Sequence, residues 1–223
     1  MSNLSNEKQP MDTQRIYGKK NAKDRELERR ERLLEAALQL FATQGYANTT
    51  IEVLCSEAKV TTRHFYQAFS GREAVLLSLF NQMMDELQVG ILTSMMNVGN
   101  SMQEKLQQII HALVYHYLTD TRRAKVGVLE VVGASPVIER RRREVIHTIS
   151  TYIQVFLDQL ALQNEIPKRN YHWVAVAIVG GINELMAEWL MNPQLSLEQL
   201  TEEMMFTAEV LIQGVKYLPI KDE

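Results

Sequence analysis

The sequence has few of the residues that cross-link or interrupt a chain. It contains one cysteine, Cys55, which excludes an internal disulfide and makes a reducing compartment the simpler expectation. Its five prolines and ten glycines lie mostly between periodic segments, which favours helices. The longest apolar run, 173–182, is shorter than the ~20 residues that cross a bilayer, and no secretory segment opens the chain. We therefore expect a soluble, cytoplasmic protein with no membrane segment.

A strong net charge is also lacking. The formal net charge at pH 7 is only −3, which argues against nucleic-acid binding by the whole surface. The charge is uneven, however, because residues 1–72 carry twelve Lys and Arg against nine Asp and Glu. The N-terminal third is therefore the part suited to a polyanion. With 46% hydrophobic and 23% charged residues, the chain has an ordinary globular composition.

Residues 1–22 are predicted to form a flexible basic arm, followed by a first helix. Asp24 is a plausible N-cap for this helix. Gly45 is expected to end it, because glycine readily adopts the left-handed conformation found after helices.

Two short helices joined by a tight turn come next. Thr49 is the expected N-cap of the first, with Glu52 completing a capping box, and Thr61 is expected to cap the second. A helix-turn-helix needs a small residue where its helices cross and a tight turn, and Cys55 and 59–60 supply them. The second helix then exposes side chains that can reach phosphates and base edges in the major groove: Thr61, Thr62, Arg63, Tyr66 and Gln67.

From residue 72 onward every segment is predicted to be helical. Apolar residues recur in steps of three and four, and there is no strand pattern. The sequence predicts an all-α fold of about nine helices, with a three-helix helix-turn-helix domain over 23–71 and a larger helical domain over 72–223. The helices of the second domain are expected at about 72–96, 101–119, 121–132, 136–163, 167–191 and 196–217.

The stretch from Leu33 to Leu76 resembles the tetracycline-repressor (TetR) family of bacterial regulators, in register and without a gap. The segments that carry the resemblance read FATQGY and TTIEVLCSEAKVTTRHFYQAFSGREA. It implies a homodimer that binds palindromic operator DNA and a C-terminal domain that binds a small-molecule effector. Repression is the most common mode of action in the family. Lys59 stands where the family usually has glycine, so either a left-handed backbone there costs about 1 kcal/mol or the turn differs slightly.

The resemblance implies a set of DNA contacts on two helices and at the start of a third. A threonine that begins the supporting helix and an arginine that begins the long fourth helix would contact phosphates. The recognition helix would read base edges with its first turn, and its tyrosine would contact the backbone. The matching residues are Thr49 or Thr50, Thr61, Thr62, Arg63, Tyr66 and Arg72, with Thr62 and Arg63 as the base readers.

Dimerisation is implied through the last two long helices, at about 167–191 and 196–217. The sequence adds support of its own, because Ala177, Gly180 and Gly181 permit close helix approach and the last helix has a stripe of leucine and methionine. The same residues also suit packing within one chain. A protein that reads a two-fold operator nevertheless needs a dimer contact.

The effector residues are predicted from residue type alone. Met83 lies on a methionine-rich helix, and methionine is common in adaptable apolar pockets. Tyr115, His116 and Trp173 are further candidates, although a packed core role explains each of the four as well. The resemblance implies that effector binding tilts the helix beginning at Arg72 and spreads the recognition helices.

Other functions are compatible with parts of the sequence. The basic run 140–143 could meet an acidic ligand or DNA, or form a solvated helix start. A helical-bundle enzyme with a di-iron site needs two Glu-x-x-His motifs, and only Glu144 and His147 offer that spacing. We predict no catalytic residue, metal site or cofactor. A protein-interaction module is the remaining alternative, but it does not explain the exposed face of the second short helix.

Overall fold

The computed structural model describes residues 22–96 and 101–217. Within these ranges the chain forms nine α-helices and one π-helical segment, with no strand, so the predicted all-α fold is confirmed. The predicted arm lies outside the described residues apart from Ala22. The elements are α1 (Ala22–Gln44), α2 (Ile51–Ala58), α3 (Thr62–Ala68), α4 (Arg72–Met95), α5 (Met102–Leu118), α6 (Thr121–Ala124), the π segment (Lys125–Glu130), α7 (Pro136–Leu162), α8 (His172–Met191) and α9 (Leu197–Tyr217).

The first three helices share a core of fully buried large side chains. Leu33 and Phe41 of α1 enter it, together with Leu54 of α2 and Phe65 of α3. Burying each such side chain contributes about 1.5–3 kcal/mol. This is enough to fix two helices of only eight and seven residues, which are too short to be stable alone.

The N-cap of α2 is Thr50, so the predicted cap at Thr49 is wrong by one residue. Thr50 has the extended backbone of a cap, and its hydroxyl accepts from the Val53 N–H at 3.3 Å. Thr49 is fully buried, and its hydroxyl donates to the Gly45 carbonyl at 2.8 Å. The Thr49 side chain thus closes the turn between α1 and α2, and this use prevents it from capping the helix.

Lys59 ends α2 in the left-handed conformation, with φ 53° and ψ 48°. This is the backbone expected where the family usually has glycine. The Lys59 N–H is directed at the carbonyls of Cys55 and Ser56, which closes the helix end before α3 begins. The short turn between α2 and α3 is therefore built with a strained non-glycine residue.

Two boundaries in the C-terminal part differ from the prediction. The expected single helix at 121–132 is a four-residue helix that continues as the π segment, which packs against α1 and α8. The helix expected from Pro167 begins only at His172. The Pro167 carbonyl accepts from the Tyr171 hydroxyl, and the Asn170 side chain accepts from the His172 N–H at 2.9 Å. These contacts hold residues 167–171 in a turn.

Helix α8 packs against α7 and α9 and buries Ala175, Ile178, Ile182 and Met186 on one face. By length and composition alone it is also long and apolar enough to cross a membrane. Its opposite face is exposed, and Trp173 at its start is 76% exposed. The fold therefore uses one side of this apolar helix and leaves the other side open.

Candidate nucleic-acid interface and apolar cavity

Helix α3 presents a polar face because its apolar residues are anchored inward. Its N-cap, Thr61, accepts from the His64 N–H at 3.3 Å. Phe65 is fully buried and Phe69, just after the helix, is nearly so. Anchoring these two rings turns the other side of the helix outward. The side chains exposed around this helix are Thr61, Thr62, Arg63, Tyr66 and Gln67.

Cys55 lies where α2 crosses α3, buried to 6% exposure. Burial raises the pKa of its thiol, while a hydrogen bond with the Thr62 side chain acts in the opposite direction. The small side chain allows the two helices to approach, and its neighbour Thr62 begins the exposed face. The interface and its supporting core therefore meet at this residue pair.

Arg72, predicted to contact a phosphate, holds the turn that precedes α2. Its Nη1 donates to the carbonyl of Ala47 at 3.1 Å and to that of Thr49 at 2.6 Å. Its guanidinium lies 4.5 Å from the centre of the Tyr46 ring, within cation–π range. Arg72 therefore ties the start of α4 to the N-terminal domain.

Arg30 makes a second such tie, which no sequence motif identified. It donates to the Ala68 carbonyl at 3.3 Å and to the Ser78 hydroxyl at 2.5 Å. Its guanidinium lies 4.4 Å from the centre of the Phe69 ring. This one side chain connects α1 with the end of α3 and with α4, so the C-terminal end of α3 is held in place.

The residues predicted to contact DNA differ in how exposed they are in the structure. Thr49 is buried and its hydroxyl is engaged, so Thr50 is the exposed threonine at the start of α2. Arg72 is half-buried and occupied by the turn. The remaining candidates, Thr61, Thr62, Arg63 and Tyr66, stay exposed around one short helix, and Tyr66 is 57% exposed.

A narrow apolar cavity of about 60 Å³ lies in the C-terminal part, between α4, α5, the π segment, α7 and α8. Isoleucine, leucine and valine form most of its wall. The polar side chains among its lining are Tyr117, Arg142 and Asn183. Ligand pockets typically measure ~300–1,000 Å³, so a ligand of ordinary size must push lining side chains apart.

Two polar side chains of this cavity, Tyr117 and Arg142, already have hydrogen-bond partners within the protein. The Tyr117 hydroxyl donates to Met84 Sδ at 3.4 Å, and burial raises the pKa of this tyrosine, so it stays protonated. Arg142 donates through Nε and Nη2 to the two carboxylate oxygens of Glu139, at 3.0 and 2.8 Å. Hydrogen bonding to Glu139 raises the pKa of Arg142. The cavity thus has one permanent cation, already paired with an acid.

None of the four predicted effector residues lines this cavity. Tyr115 and Trp173 are 73% and 76% exposed. Met83 is buried and borders a separate crevice of about 410 Å³ between α1, α4 and α6. His116 is buried with Nε2 lacking a hydrogen-bond partner among the described residues. Burial, helped by the charge of Arg123, lowers the pKa of His116 to about 4, so its ring is neutral at pH 7.

The sequence did not identify the cavity's own polar residues. Tyr117 lies four residues after Leu113, on the same helix face, and this spacing was a usable signal. Arg142 belongs to the basic run 140–143, whose members are spread around α7. Arg141 donates to Asn81 and Arg143 pairs with Glu139. A charge run alone could not show that one member reaches a cavity.

These features define the class of the protein, a helix-turn-helix protein with a larger all-helical domain. Residues 33–79 match the family model described as bacterial regulatory proteins of the tetR family. The match covers the helix-turn-helix part of the chain and the start of α4. Among the described residues, no group of three or more His, Cys, Asp and Glu side chains is placed to hold a metal ion.

Known proteins resemble the two parts of the chain to different extents. The "uncharacterized HTH-type transcriptional regulator YuxN" of Bacillus subtilis is 37% identical over 59 residues, which are 26% of this chain and 20% of that protein. This chain spans only 18 to 25% of the length of three curated relatives that it matches, YuxN among them. The fatty acid metabolism regulator protein of Bacillus subtilis matches a larger share, 82% of this chain and 93% of that protein, at 22% identity.

Two solved structures share the fold. The fatty acid degradation regulator FadR from Bacillus halodurans has a TM-score of 0.74 at 21% identity, covering 85% of this chain and 97% of that one. The transcriptional regulator FadR from Bacillus subtilis in complex with stearoyl-CoA has a TM-score of 0.69 at 21% identity, covering 83% of this chain and 98% of that one. At this identity the likeness shows the fold of both domains together.

Proposed function

We propose that this protein is a dimeric, ligand-responsive transcriptional repressor that binds operator DNA in the cytoplasm and has no catalytic role. The observation that carries the proposal is the exposed face of α3, where Thr62, Arg63 and Tyr66 project from a helix anchored by Phe65. Arginine pairs with guanine in the major groove, threonine contacts bases of either kind, and tyrosine contacts phosphates.

A dimer through α8 and α9 gives the two recognition helices that a palindrome requires. Both helices keep an apolar face exposed, including Trp173 on α8 and Phe206, Val210 and Tyr217 on α9. A Cβ added at Gly180 would meet no atom within 4 Å, so a partner helix has room to approach closely there. Exposed apolar patches of this kind mark association sites.

The effector we propose is an amphipathic molecule with an acyl chain and an anionic group. The isoleucine-rich wall of the cavity suits an apolar acyl chain, and among the described lining residues Arg142 supplies the positive charge. The structural neighbour from Bacillus subtilis is described with stearoyl-CoA, which has both features. Because the cavity is only about 60 Å³, such a ligand must favour a wider conformation, and this preference can change DNA affinity.

The test is binding of the purified full-length protein to DNA fragments from around its own gene, with increasing salt. We expect tight, salt-sensitive binding to one palindromic fragment. Arg63→Ala should weaken it about tenfold to a hundredfold, because a base contact is worth about 1–3 kcal/mol. Tyr66→Phe should weaken it less, by the loss of one hydroxyl contact.

The matched control is Arg140→Ala, which removes the same charge from an exposed position on α7. It should leave operator binding unchanged. Equal, weak binding to every fragment by the wild-type protein, or an equal loss in Arg63→Ala and Arg140→Ala, would contradict the assignment of α3 as the recognition helix.

A further inference from the structure

The middle of the π segment lies in the wall of the apolar cavity. Gly127 lines this cavity, and a Cβ built on Gly127 would lie 2.7 Å from Tyr117 Cε1 and 3.1 Å from Met83 Cε. Real Cβ contacts are not this short, so the Tyr117 ring packs directly on the glycine backbone. Any ligand that widens the cavity at Tyr117 therefore presses on the π segment.

The C-terminal residue of the same segment contacts the helix-turn-helix domain. Glu130 Oε2 accepts from the Tyr46 N–H at 2.7 Å, just after α1. This N–H lies one residue beyond Gly45, whose φ of 88° turns the chain away from the helix. A charged acceptor on a backbone N–H makes a strong hydrogen bond.

The turn 45–50 is therefore held from two sides. Arg72 of α4 lies over the Tyr46 ring and donates to the carbonyls of Ala47 and Thr49. Glu130 accepts from the Tyr46 N–H. The turn leads directly into Thr50, the N-cap of α2. A shift of either side chain would move α2 and, through the α2–α3 packing, the recognition helix.

We infer that Glu130 is a positioning residue that couples the width of the cavity to the position of the turn 45–50. The inference rests on the proposed function. Glu130 lies only three positions after Gly127, and close-packed helical segments transmit displacement because they are nearly incompressible. π-helical turns are frequent at functional sites. Expansion at Tyr117 displaces Glu130, weakens its bond to Tyr46 and lowers operator affinity.

Gly127→Ala tests this without any ligand. The added methyl group would push the Tyr117 ring and the π segment apart, as a bound ligand is proposed to do. We expect about a tenfold loss of operator affinity. The control is Gly90→Ala on α4, where the new Cβ would meet Ala112 at an ordinary 3.8 Å. It should bind operator like the wild type. Circular dichroism and thermal unfolding establish that each variant is folded.

Variants of Glu130 test the link itself. Glu130→Ala should weaken operator binding, whereas Glu130→Gln, which keeps an oxygen acceptor, should restore most of it. In the Glu130→Ala background, Gly127→Ala should cause no further loss, because the connection is already cut. Full additivity of the two losses, or wild-type affinity in Glu130→Ala, overturns the inference. If Gly127→Ala does not fold, the comparison of Glu130→Ala with Glu130→Gln still tests the inference.

Amide hydrogen exchange at Tyr46 separates this inference from the proposed function, since it needs no DNA. Exchange should be faster in Gly127→Ala and Glu130→Ala than in the wild type, and unchanged in Gly90→Ala. If the wild type binds no operator while exchange responds in this way, the regulator assignment fails and the link stands. If Tyr46 exchange is the same in all variants, the link fails whatever the DNA result.

Discussion

The N-terminal and C-terminal parts of this chain differ in how function is encoded. Residues 33–79 of the first match a family model, while 85% of the chain resembles a structural neighbour at 21% identity. In the proposed function, the N-terminal part acts through side chains at fixed positions on two short helices. The C-terminal part would act through the shape of a cavity and of an exposed face, which many sequences can build. Function at defined positions is therefore visible in sequence, and function in shape is not.

The two parts also differ in what holds them. The helix-turn-helix is tied by charged side chains, Arg30, Arg72 and Glu130, each of which reaches a backbone group. The cavity region is held by apolar packing and keeps a small void. Apolar packing is non-directional and tolerates rearrangement, whereas the hydrogen-bonded ties fix one geometry. This contrast suits a rigid reader coupled to an adaptable sensor.

The largest effect is expected from removing the dimer face of the C-terminal part. Phe206→Glu places a charge in the exposed apolar stripe of α9, where Phe206 is 63% exposed. The protein should become monomeric, and operator affinity should fall at least about a hundredfold, because a monomer makes half of the contacts. Sedimentation and DNA retardation measure the two effects.

Val89→Glu is the control, since Val89 is 64% exposed on α4, which is not one of the two proposed dimer helices. It should remain a dimer with wild-type DNA affinity. A Phe206→Glu protein that stays dimeric would move the interface elsewhere and remove the geometric basis for palindrome reading.

The next effect concerns the cation of the cavity. Arg142→Met should weaken binding of stearoyl-CoA about tenfold, because a hydrogen bond to a charged group is worth about 1.5–3 kcal/mol. Arg143→Met is the matched control, because Arg143 shares the partner Glu139 but is exposed and does not line the cavity. Titration calorimetry distinguishes them, and an equal affinity in both variants would exclude Arg142 as the anion contact.

A smaller effect should appear as a pH dependence from His116. Its pKa of about 4 in the folded protein lies below the ordinary 6.5, so the unfolded chain binds more protons between these values. The stabilising contribution of the neutral ring is complete above pH 6.5 and is lost as pH falls toward 4. Allowing for partial solvation, we expect the free energy of unfolding to drop by about 1 kcal/mol between pH 6.5 and 5.

His116→Gln should remove that part of the pH dependence in urea unfolding. His111→Gln, on an exposed position of the same helix, should keep it. Parallel pH profiles for wild type and His116→Gln would show that the buried ring does not titrate as described.

The smallest effect is expected in the turn of the N-terminal part. Lys59→Gly relieves the left-handed strain at φ 53°, worth about 1 kcal/mol, but adds backbone entropy to the unfolded chain. The net stabilisation should be about 0.5 kcal/mol, measured by denaturant unfolding, with unchanged operator affinity. A destabilised Lys59→Gly protein would show that the lysine side chain contributes contacts that outweigh the strain.

How much the sequence predicted depends on the range of the interactions. Gly45, Thr61 and Lys59 act within a few residues, and the sequence indicated a helix end, a cap and a left-handed turn at these places. The cap at Thr49 was wrong because its hydroxyl closes the preceding turn instead. The effector candidates were chosen by residue type, and type could not say that Tyr115 is exposed while Tyr117 lines a cavity.

By itself, the sequence determined the helical fold, the helix-turn-helix and its exposed recognition face, because periodicity and capping are local properties of the chain. The tertiary structure alone decided that Arg72 holds a turn, that Arg142 reaches a cavity and that Glu130 contacts Tyr46, 84 positions away. Such pairings depend on how distant helices pack, and no local spacing records them. The physical reason is that hydrogen bonds act over about 3 Å in space, whatever the separation along the chain.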